Sequence, residues 1–391
     1  MPEPRPQSRS SQVLLIQFTR LAQPGWGGIE RYASCIVDSL CQTDSRYHSL
    51  NFSYSRWSDR VCLNAKKGQR YCGLPSIRLG KAYLPTPWAI TFLLRQIIAN
   101  RSCRHAVIFV HCPDIAGPIL GMLAKAIFLL SGVNATLVSF WHADPCGPFF
   151  QQSIMSHYLN WFVGLCDRVV TTSPKLRDQS LLLRSVPRVS VLSCCTGSGF
   201  LAPSASEPLH RPFDLIFIGR ADSYKRLDVF IQAFETSSAQ SCLIIGNGTE
   251  QHVARLYSQA HEYKKYGSVV FRQKIDERVK CELLRQSKVL VLPSLSPAEA
   301  FGIVQIEAFA TSTPVISSRI YGSGVDWVNI NGVTGLTVCG SPESFASAID
   351  NLLLNPAYRA ELAQNAFLRW KNLFTFSAFS RQLHELKLLD S

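Results

Sequence analysis

Two cations follow an apolar run in the second half of the chain, which reads Phe217-Ile-Gly-Arg220 and continues to Lys225. Arginine binds phosphate oxygens bidentately and lysine supplies a compact positive charge, so this pair suits a diphosphate. A basic cluster on the surface would give the same residues. The segment alone therefore leaves both interpretations open.

Two glutamates flank a glycine in the run Glu299-Ala-Phe-Gly302-Ile-Val-Gln-Ile-Glu307. Gly302 is expected to mark the start of a helix, and the free N–H groups near Gly302–Val304 could then hold a phosphate. Carboxylates accept hydrogen bonds from hydroxyl groups, which a sugar and a ribose both present. Solvated surface glutamates are the alternative, but the apolar residues around them favour a binding site.

A third segment, Leu243-Ile-Ile-Gly246-Asn-Gly248, ends an apolar run on a glycine turn. It resembles half of a dinucleotide-binding motif, but a third glycine and an acidic residue about 20 positions later are missing. The segment predicts little more than a tight strand-to-helix turn. A Rossmann-type oxidoreductase is therefore disfavoured.

The first half of the chain holds two further candidates. Glycines in Gly25-Trp-Gly27-Gly28-Ile-Glu30-Arg31 follow the first apolar run and would let the backbone approach a ligand closely. His142 stands at the end of another apolar run, two residues before Asp144. A structural role and a role in a site are both open for this histidine.

Strand-like and helix-like segments alternate along the chain, which predicts parallel sheets covered by helices on both faces. The proline-rich stretch Ala202–Pro212 has the composition of a linker. We expect an α/β protein of two doubly wound Rossmann-like domains that face each other across a cleft. The predicted domains are 1–205, 206–365, and a C-terminal helix over 366–391 that packs on the first domain. The predicted strands are Val13–Phe18, Ala106–His111, Thr136–Trp141, Arg168–Thr172, Arg188–Leu192, Asp214–Ile218, Ser241–Ile245, Ser268–Phe271, Val289–Pro293, Pro314–Ser317 and Gly335–Val338.

Positive charge is concentrated in the first half. Residues 1–200 carry 21 Lys and Arg against 9 Asp and Glu, whereas residues 201–391 carry 19 against 18. This excess of positive charge indicates an anionic partner, which could be nucleic acid, a membrane leaflet or a phosphorylated acceptor. Nucleic acid is disfavoured because the cations are dispersed rather than interleaved with aromatic residues on one element.

Two apolar segments bear on the membrane. Ile115–Leu130 contains Gly117 and Pro118 and is shorter than the ~20 residues that a bilayer requires, so a helix buried between strands is expected. Tyr83–Ala99 is either a core helix or a helix at a membrane surface. The 13 cysteines are scattered and odd in number, and we expect free thiols that act as small apolar fillers.

These motifs, in this order, resemble the family-4 retaining glycosyltransferases of the GT-B fold. The resemblance spans nearly the whole chain and includes Gly324-Val-Asp-Trp-Val-Asn, which is similar to bacterial polysaccharide and mannosyltransferase-like members. Arg226 departs from the family pattern, where glycine is common. Cys194-Cys195-Thr196 departs from it in the interdomain loop.

The resemblance implies a role for each matching residue. Arg220 and Lys225 would hold the diphosphate, Glu307 the ribose hydroxyls, Glu299 the donor sugar, and His142 the hydroxyl end of that sugar. The catalytic set would be His142, Glu299, Arg220 and Lys225. The donor-binding set would be Gly27, Gly28, Gly219, Arg220, Lys225, Gly246, Glu299, Phe301, Gly302, Ile303, Val304 and Glu307.

The expected function is a metal-independent hexosyltransferase that uses a nucleotide-sugar co-substrate and no cofactor, with a GDP-sugar slightly favoured over a UDP-sugar. The absence of an Asp-x-Asp sequence removes the usual ligand pair for a metal ion. The acceptor would be a saccharide or a polyprenyl-diphosphate-linked saccharide of surface polysaccharide or lipopolysaccharide synthesis. The enzyme would be cytoplasmic and peripheral on the inner membrane. A non-catalytic sugar-nucleotide-binding protein, a GT-B epimerase and a phosphorylase are the alternatives.

Overall fold

The computed structural model describes residues 12–20, 27–55, 62–66, 68–79, 82–145, 149–197, 200, 210–260 and 263–388. The chain packs into two compact units. The first comprises Met1–Thr172, Ser180–Leu192 and Ser380–Ser391, and the second comprises Ser173–Gln179 and Ser193–Phe379. The predicted boundary between residues 205 and 206 lies outside the described residues.

The first unit is built on a sheet with the strand order β3-β4-β2-β1-β6-β7-β8-β9, in which β5 also pairs with β4. Pairing is parallel from β4 through β9, whereas β3 and β5 run antiparallel to β4. The predicted strands of this half are confirmed, and β2 to β5 are additional. The strands are β1 Val13–Thr19, β2 Tyr47–Ser55, β3 Cys62–Lys66, β4 Gln69–Leu79, β5 Ala82–Pro85, β6 His105–Cys112, β7 Asn134–Trp141, β8 Arg168–Thr171 and β9 Val189–Val191.

Helices connect the parallel strands of this unit. The helix predicted over Ile115–Leu130 spans Ala116–Leu130 and packs against β6 and β7, with Ala124 and Phe128 fully buried. No helix within the described residues combines the length and the apolar character needed to cross a bilayer. The helices are α1 Gly28–Thr43, α2 Pro87–Ala99, α3 Ala116–Leu130 and α4 Phe149–Gly164.

The second unit holds a fully parallel sheet with the strand order β12-β11-β10-β13-β14-β15. Numbered from β10, this order is 3-2-1-4-5-6, the arrangement of the dinucleotide-binding α/β fold. Every strand predicted in this half is present. The strands are β10 Phe213–Ile218, β11 Cys242–Ile245, β12 Val269–Arg272, β13 Ser287–Leu292, β14 Val315–Ser318 and β15 Gly335–Val338.

Helices cover both faces of the second sheet, and α6 and α11 bury its largest apolar cluster, which includes Phe230, Phe234 and Phe345. The short helix α5 belongs to this unit, although the segment that follows it, Ser180–Leu192, belongs to the first unit. The chain returns to the first unit within α13, where Ser39 Oγ donates to Ser380 Oγ at 2.7 Å. The helices are α5 Pro174–Gln179, α6 Leu227–Thr236, α7 Thr249–Gln259, α8 Glu277–Arg285, α9 Ile303–Ala310, α10 Val325–Val328, α11 Pro342–Leu354, α12 Pro356–Leu373 and α13 Phe376–Glu385.

The cysteines differ from the expectation at one described position. Cys72 in β4 is disulfide-bonded, so the prediction of free thiols throughout is wrong there. Cys194 and Cys195 are buried thiols outside any disulfide, as apolar fillers would be. The next residue, Thr196, donates its N–H to Phe374 O at 3.0 Å and accepts from Trp370 Nε1 at 3.1 Å. This departure from the family pattern therefore attaches the loop to the end of α12.

Arg226, the second departure, has a conformation that favours glycine. Its φ of 52° lies in the left-handed region, directly before α6. The Arg226 guanidinium donates three hydrogen bonds to Asp228 in the first turn of that helix, at 2.9, 3.0 and 3.1 Å. The strain of the left-handed residue is thus partly offset by an ion pair that caps the helix start.

We expect Arg226→Ala to be less stable than Arg226→Gly by about 1 kcal/mol, because both lose the ion pair but only alanine keeps the left-handed strain. Urea unfolding at pH 7 measures the difference. The same two substitutions at the exposed Glu361, inside α12, should rank in the opposite order, since glycine destabilises a helix interior. Equal stability of the two Arg226 variants would contradict the strain argument.

Candidate functional site

The strand order of the second sheet reverses between β10 and β13, which lie side by side while their following helices cover opposite faces. Ligands of open α/β sheets bind at such a reversal, beyond the carboxyl ends of the strands. The loop after β10 carries Arg220 and Lys225, and the loop after β13 carries Glu299. The topology therefore brings together residues that are 74 positions apart in sequence.

A buried ion pair joins these two loops. Lys225 Nζ donates to Glu299 Oε2, and Ser294 Oγ donates to the same oxygen at 2.9 Å. The side chains of Lys225 and Glu299 are only 13% and 11% exposed. Burial by itself lowers the pKa of Lys225, but the charge of Glu299, the nearby Tyr224 and the hydrogen bond to Glu299 together outweigh burial, and the pKa is raised above its ordinary value. Lys225 is therefore a charged ammonium group.

The carboxylate is held in place through its backbone. Glu299 N–H donates to Ser296 O at 2.9 Å, and Ser323 Oγ donates to Glu299 O at 2.5 Å. The two loops also meet directly, because Leu295 N–H donates to Tyr224 O at 3.2 Å. The Lys225 ammonium lies 5.2 Å from the centre of the Tyr224 ring, which adds a cation–π contact.

Arg220 is much more accessible than Lys225. Its side chain is 73% exposed and its guanidinium pairs with Asp222 at 2.8 Å. The positive charge of Arg220 nevertheless acts on Lys225, where it opposes the rise in pKa. Two cations thus lie near the end of β10, one buried and fixed and one at the surface.

Gly246 is required for packing at this turn. A Cβ on Gly246, at the end of β11, would overlap the carbonyl oxygen of Gly219, at the end of β10. Gly219 N–H also donates to Ile245 O at 2.9 Å. The interpretation of Gly246 as part of a tight strand-to-helix turn is confirmed, and its role in donor binding stays a prediction.

Gly302 begins α9, as the sequence indicates. Its φ is +71°, and a Cβ there would approach Gln305 Nε2 to 2.7 Å and Leu292 Cδ2 to 3.0 Å. Gln305 Nε2 donates to Phe301 O at 2.9 Å, which fixes the loop immediately before the helix. The first N–H groups of α9, on Ile303 and Val304, have no carbonyl partner within the helix and carry its partial positive charge.

Glu307 lies on α9 and is paired with a residue that the sequence did not single out. Lys280 Nζ of α8 donates to Glu307 Oε1 at 2.6 Å, and the Glu307 side chain is 3% exposed. Lys280 also lies 5.5 Å from the centre of the Phe200 ring. Glu307 is thus a buried carboxylate with a cationic partner, and its contact with a ribose stays a prediction.

Sequence reasoning also missed the anchor of the Gly324-Val-Asp-Trp segment. Lys175 of α5 pairs with Asp326, and Gln179 Oε1 accepts from Gly322 N–H at 3.0 Å. Gly324 N–H donates to Ala300 O at 2.7 Å, which connects this segment to the loop of Glu299. Lys175 was not recognised because its partner is 151 residues away in sequence.

The candidate residues of the first unit follow two different strands, since Gly27 and Gly28 come after β1 and His142 comes after β7. Gly27 and Gly28 begin α1, where Gly27 N–H donates to Glu30 Oε2 at 3.0 Å. His142 follows β7 and is buried, and burial lowers its pKa to about 3, so the imidazole is neutral. Asp144 accepts from Trp141 Nε1 at 3.0 Å and from Ser180 Oγ at 2.5 Å, so it orders the loop after β7.

Comparison with known proteins agrees with this geometry. Residues 203–369 match the family model described as glycosyl transferases group 1. This part of the chain is similar to group 1 glycosyl transferases. The matched residues contain β10 to β15 and the Lys225–Glu299 pair.

Similar proteins act on sugars. The D-rhamnosyltransferase WbpZ of Pseudomonas aeruginosa is 30% identical over 64% of this chain and 66% of its own length. A glycogen synthase of Mycobacterium tuberculosis is 27% identical over 73% and 70%, and the O-antigen chain mannosyltransferase C of Escherichia coli is 27% identical over 41% and 42%. This chain thus aligns with just under two thirds of the rhamnosyltransferase, and with less of the mannosyltransferase.

Solved structures establish the fold of the whole chain. Sucrose-phosphate synthase from Thermosynechococcus elongatus has a TM-score of 0.73 at 19% identity, over 96% of this chain and 98% of its own. Anabaena Alr3699/HepE, solved in complex with UDP, has a TM-score of 0.71 at 16% identity, over 96% and 99%. The predicted GT-B fold, with two doubly wound Rossmann-like sheets, is confirmed.

The buried pair predicts a pH dependence of stability. Because the pKa of folded Lys225 is raised, its contribution to stability is present at neutral pH and is lost as pH rises above the ordinary value of 10.5. Glu299→Gln removes the opposing charge, so burial then lowers this pKa. The free energy of unfolding of the variant should fall by about 3 kcal/mol at pH 7 and should recover as pH rises toward 10.

Urea unfolding of both proteins between pH 7 and pH 10 tests the sign. Asp178→Asn is the matched control, because that carboxylate pairs with Arg177 at the surface and an exposed pair contributes under about 1 kcal/mol. Parallel pH profiles of the wild type and Glu299→Gln would show that Lys225 is not held charged by Glu299.

Proposed function

We propose that this protein is a retaining glycosyltransferase that moves a hexose from a nucleotide-diphosphate sugar to a saccharide or lipid-linked saccharide. The observation that carries the proposal is the Lys225–Glu299–Ser294 cluster at the strand-order reversal of the sheet that is similar to group 1 glycosyl transferases. A buried, charged lysine there is suited to the diphosphate of such a donor.

The leaving group in this reaction is a nucleoside diphosphate, and negative charge develops on it as the bond to the sugar breaks. An ammonium group has three N–H donors, and Glu299 takes one of those on Lys225, so a phosphate oxygen can take another. Arg220 and the first N–H groups of α9 supply further positive charge. Fixed charges of this kind stabilise the transition state without having to reorganise.

The remaining roles follow from the family resemblance. Glu299 would accept hydrogen bonds from the donor sugar and Glu307 from the ribose, and His142 would contact a hydroxyl group of the sugar. Gly28 would lie against the phosphates. Transfer would proceed with retention at the anomeric carbon by front-face attack, and without a metal ion.

EDTA is therefore expected to leave the rate of transfer unchanged. Loss of activity that Mg²⁺ restores would contradict metal independence.

Mannose or a related sugar, carried by GDP, is the favoured donor. A D-rhamnosyltransferase and an O-antigen chain mannosyltransferase among the similar proteins support this choice and a role in surface polysaccharide synthesis. No cofactor besides the co-substrate is required by this mechanism.

Lys225→Ala should lower kcat/KM for transfer from GDP-mannose by about 10²- to 10³-fold, the usual effect of removing one preorganised contact to developing charge. Release of GDP, with and without an oligosaccharide acceptor, measures the rate. Near-normal kcat/KM in this variant would overturn the assignment of Lys225.

Lys288→Ala is the matched control for this experiment. Lys288 pairs with Asp214 at 2.7 Å in the same unit and across the same 74-residue separation, but it lies at the start of β13, away from the carboxyl ends of the strands. Its substitution should leave kcat/KM within about threefold of the wild type, since Lys288 has no contact with the proposed donor.

The acceptor is proposed to lie on an anionic membrane, on the inner face of the inner membrane. Helix α2 supports this proposal: it buries Ala89, Leu93 and Ile97 and exposes Trp88, Ile98 and Arg95. Trp88 is 39% exposed and Ile98 47%. An exposed tryptophan and an exposed cation on one helix of a positively charged unit are typical of a surface that contacts lipid head groups.

Sedimentation with phosphatidylglycerol-containing vesicles at low salt should recover the protein in the pellet, and neutral vesicles should not. The double substitution Trp88→Ser and Ile98→Ser should reduce binding at least tenfold, since it removes two side chains that would be buried in the interface. Leu354→Ser, which changes a 69% exposed leucine of the second unit, is the control. No binding of the wild type to anionic vesicles would rule out the membrane proposal.

A further inference from the structure

A row of buried polar side chains crosses the first unit's sheet from β2 to the end of β7. Asn51 on β2 lies opposite Gln17 on β1, His111 is on β6, and His142 follows β7. Gln17 Nε2 lies 3.2 Å from Asn51 Oδ1, His111 Nε2 lies 3.2 Å from Gln17 Oε1, and the two histidines join through His111 Nδ1 and His142 Nε2 at 2.9 Å. All four side chains are buried, although the surrounding strands are largely apolar.

The contacts of Asn51, the first residue of this row, determine which group donates and which accepts in every hydrogen bond along it. Asn51 also contacts the backbone carbonyl of Arg70 at 3.2 Å, and a carbonyl oxygen can only accept. The group that faces Arg70 O must therefore be the Asn51 NH₂, so Asn51 Oδ1 faces Gln17 and accepts from its NH₂. Gln17 Oε1 in turn faces His111 and accepts from it.

The same reasoning determines which ring nitrogen carries the proton in each of the two histidines. Since Gln17 Oε1 accepts, His111 Nε2 carries a proton, and a neutral imidazole then has a lone pair on Nδ1. That lone pair accepts from His142 Nε2, which must carry the proton of that ring. Nδ1 of His142 is left as the acceptor, and no described residue hydrogen-bonds to it.

Burial keeps both rings neutral. The pKa of His111 is lowered by burial and by the neighbouring His142, and that of His142 is lowered by burial. The groups packed on His142 include the Tyr32 ring, whose centre lies 5.1 Å away and whose hydroxyl donates to Leu192 O at 3.0 Å. The nearby carboxylate of Asp144 accepts from Trp141, Ser180 and Leu181 N–H.

We propose that the Arg70 carbonyl, acting through Asn51, Gln17 and His111, holds His142 in the neutral tautomer with the proton on Nε2, so that Nδ1 accepts a hydrogen bond from a sugar hydroxyl. Asn51, Gln17 and His111 are then positioning residues. The proposal rests on the proposed function for its ligand, but the tautomer itself does not depend on any donor.

The tautomer defines a class of substrate. A lone pair on Nδ1 attracts a hydroxyl group, which has a proton to donate, and repels a carboxylate, which has none. Protonating His142 to bind a carboxylate would require charging a buried imidazole. The site therefore selects a neutral sugar with a hydroxyl at this position over the corresponding uronic acid.

The experiment is a long-range ¹H–¹⁵N correlation spectrum of the full chain labelled with ¹⁵N-histidine, recorded without donor between pH 5.5 and 8. Two histidines, assigned by the loss of their signals in His111→Asn and His142→Asn, should show a protonated Nε2 and an unprotonated Nδ1, with no titration. A protonated Nδ1 on His142, or a ring that titrates in this range, would overturn the proposal.

Gln17→Met breaks the row while keeping the length of the side chain, and it should give His142 a mixture of tautomers. With an equal mixture, the apparent KM for the donor should rise about twofold with kcat unchanged. His105→Asn is the control, because this histidine lies at the other end of β6 and bonds Thr136 at 2.8 Å, outside the row. An unchanged His142 tautomer in Gln17→Met would show that the row does not set it.

The two proposals fail separately. If His142 has the expected tautomer in the free protein but His142→Ala transfers sugar normally, the contact with the donor is wrong and the tautomer assignment stands. If the tautomer is the opposite one and His142→Ala is impaired, the donor contact stands and the positioning role of the row is wrong.

Discussion

The buried ion pair between Lys225 and Glu299 is the contact on which the geometry of the second unit's candidate site depends. It joins the loops after β10 and β13, at the point where the strand order reverses. Removing a lysine and a carboxylate from water is costly, and this cost is offset by their mutual attraction together with the contacts of Ser294 and the Tyr224 ring. A charge held in this way is preorganised, which is the property that binding and stabilising a diphosphate require.

Glycine packing allows the loops to approach. The turn after β11 lies directly on the turn after β10 because Gly246 has no Cβ to meet Gly219 O, and Gly302 adopts a left-handed conformation that starts α9 beside Leu292. Arg226 adopts a similar conformation without being glycine, and its ion pair with Asp228 stabilises the first turn of α6. Arg226 thus combines a constrained backbone conformation with a charged side chain that stabilises the following helix.

The two units differ in the kind of polar side chains that they bury. In the second unit these side chains include ion pairs, such as Lys225–Glu299 between the loops after β10 and β13 and Lys280–Glu307 between α8 and α9. In the first unit a neutral row of amides and imidazoles crosses the sheet, and each member is hydrogen-bonded to the next. A neutral row can be buried more deeply, because transferring amides and neutral rings from water costs far less than transferring charges.

The sequence by itself determined the alternation of strands and helices and the loops that hold Arg220, Lys225, Glu299 and Gly302, because these features depend on apolar runs and glycine turns, which are local in sequence. The GT-B fold was implied by the resemblance of its motifs to a known family. Only the tertiary structure decided that Lys225 pairs with Glu299, that Lys280 pairs with Glu307, and that Lys175 and Gln179 hold the Gly322–Asp326 loop. It also decided the direction of the hydrogen bonds from Arg70 O to His142, since each partner lies on a different strand. Such contacts depend on which strands are neighbours, and the order of strands in a sheet is not recorded in any local pattern of residues.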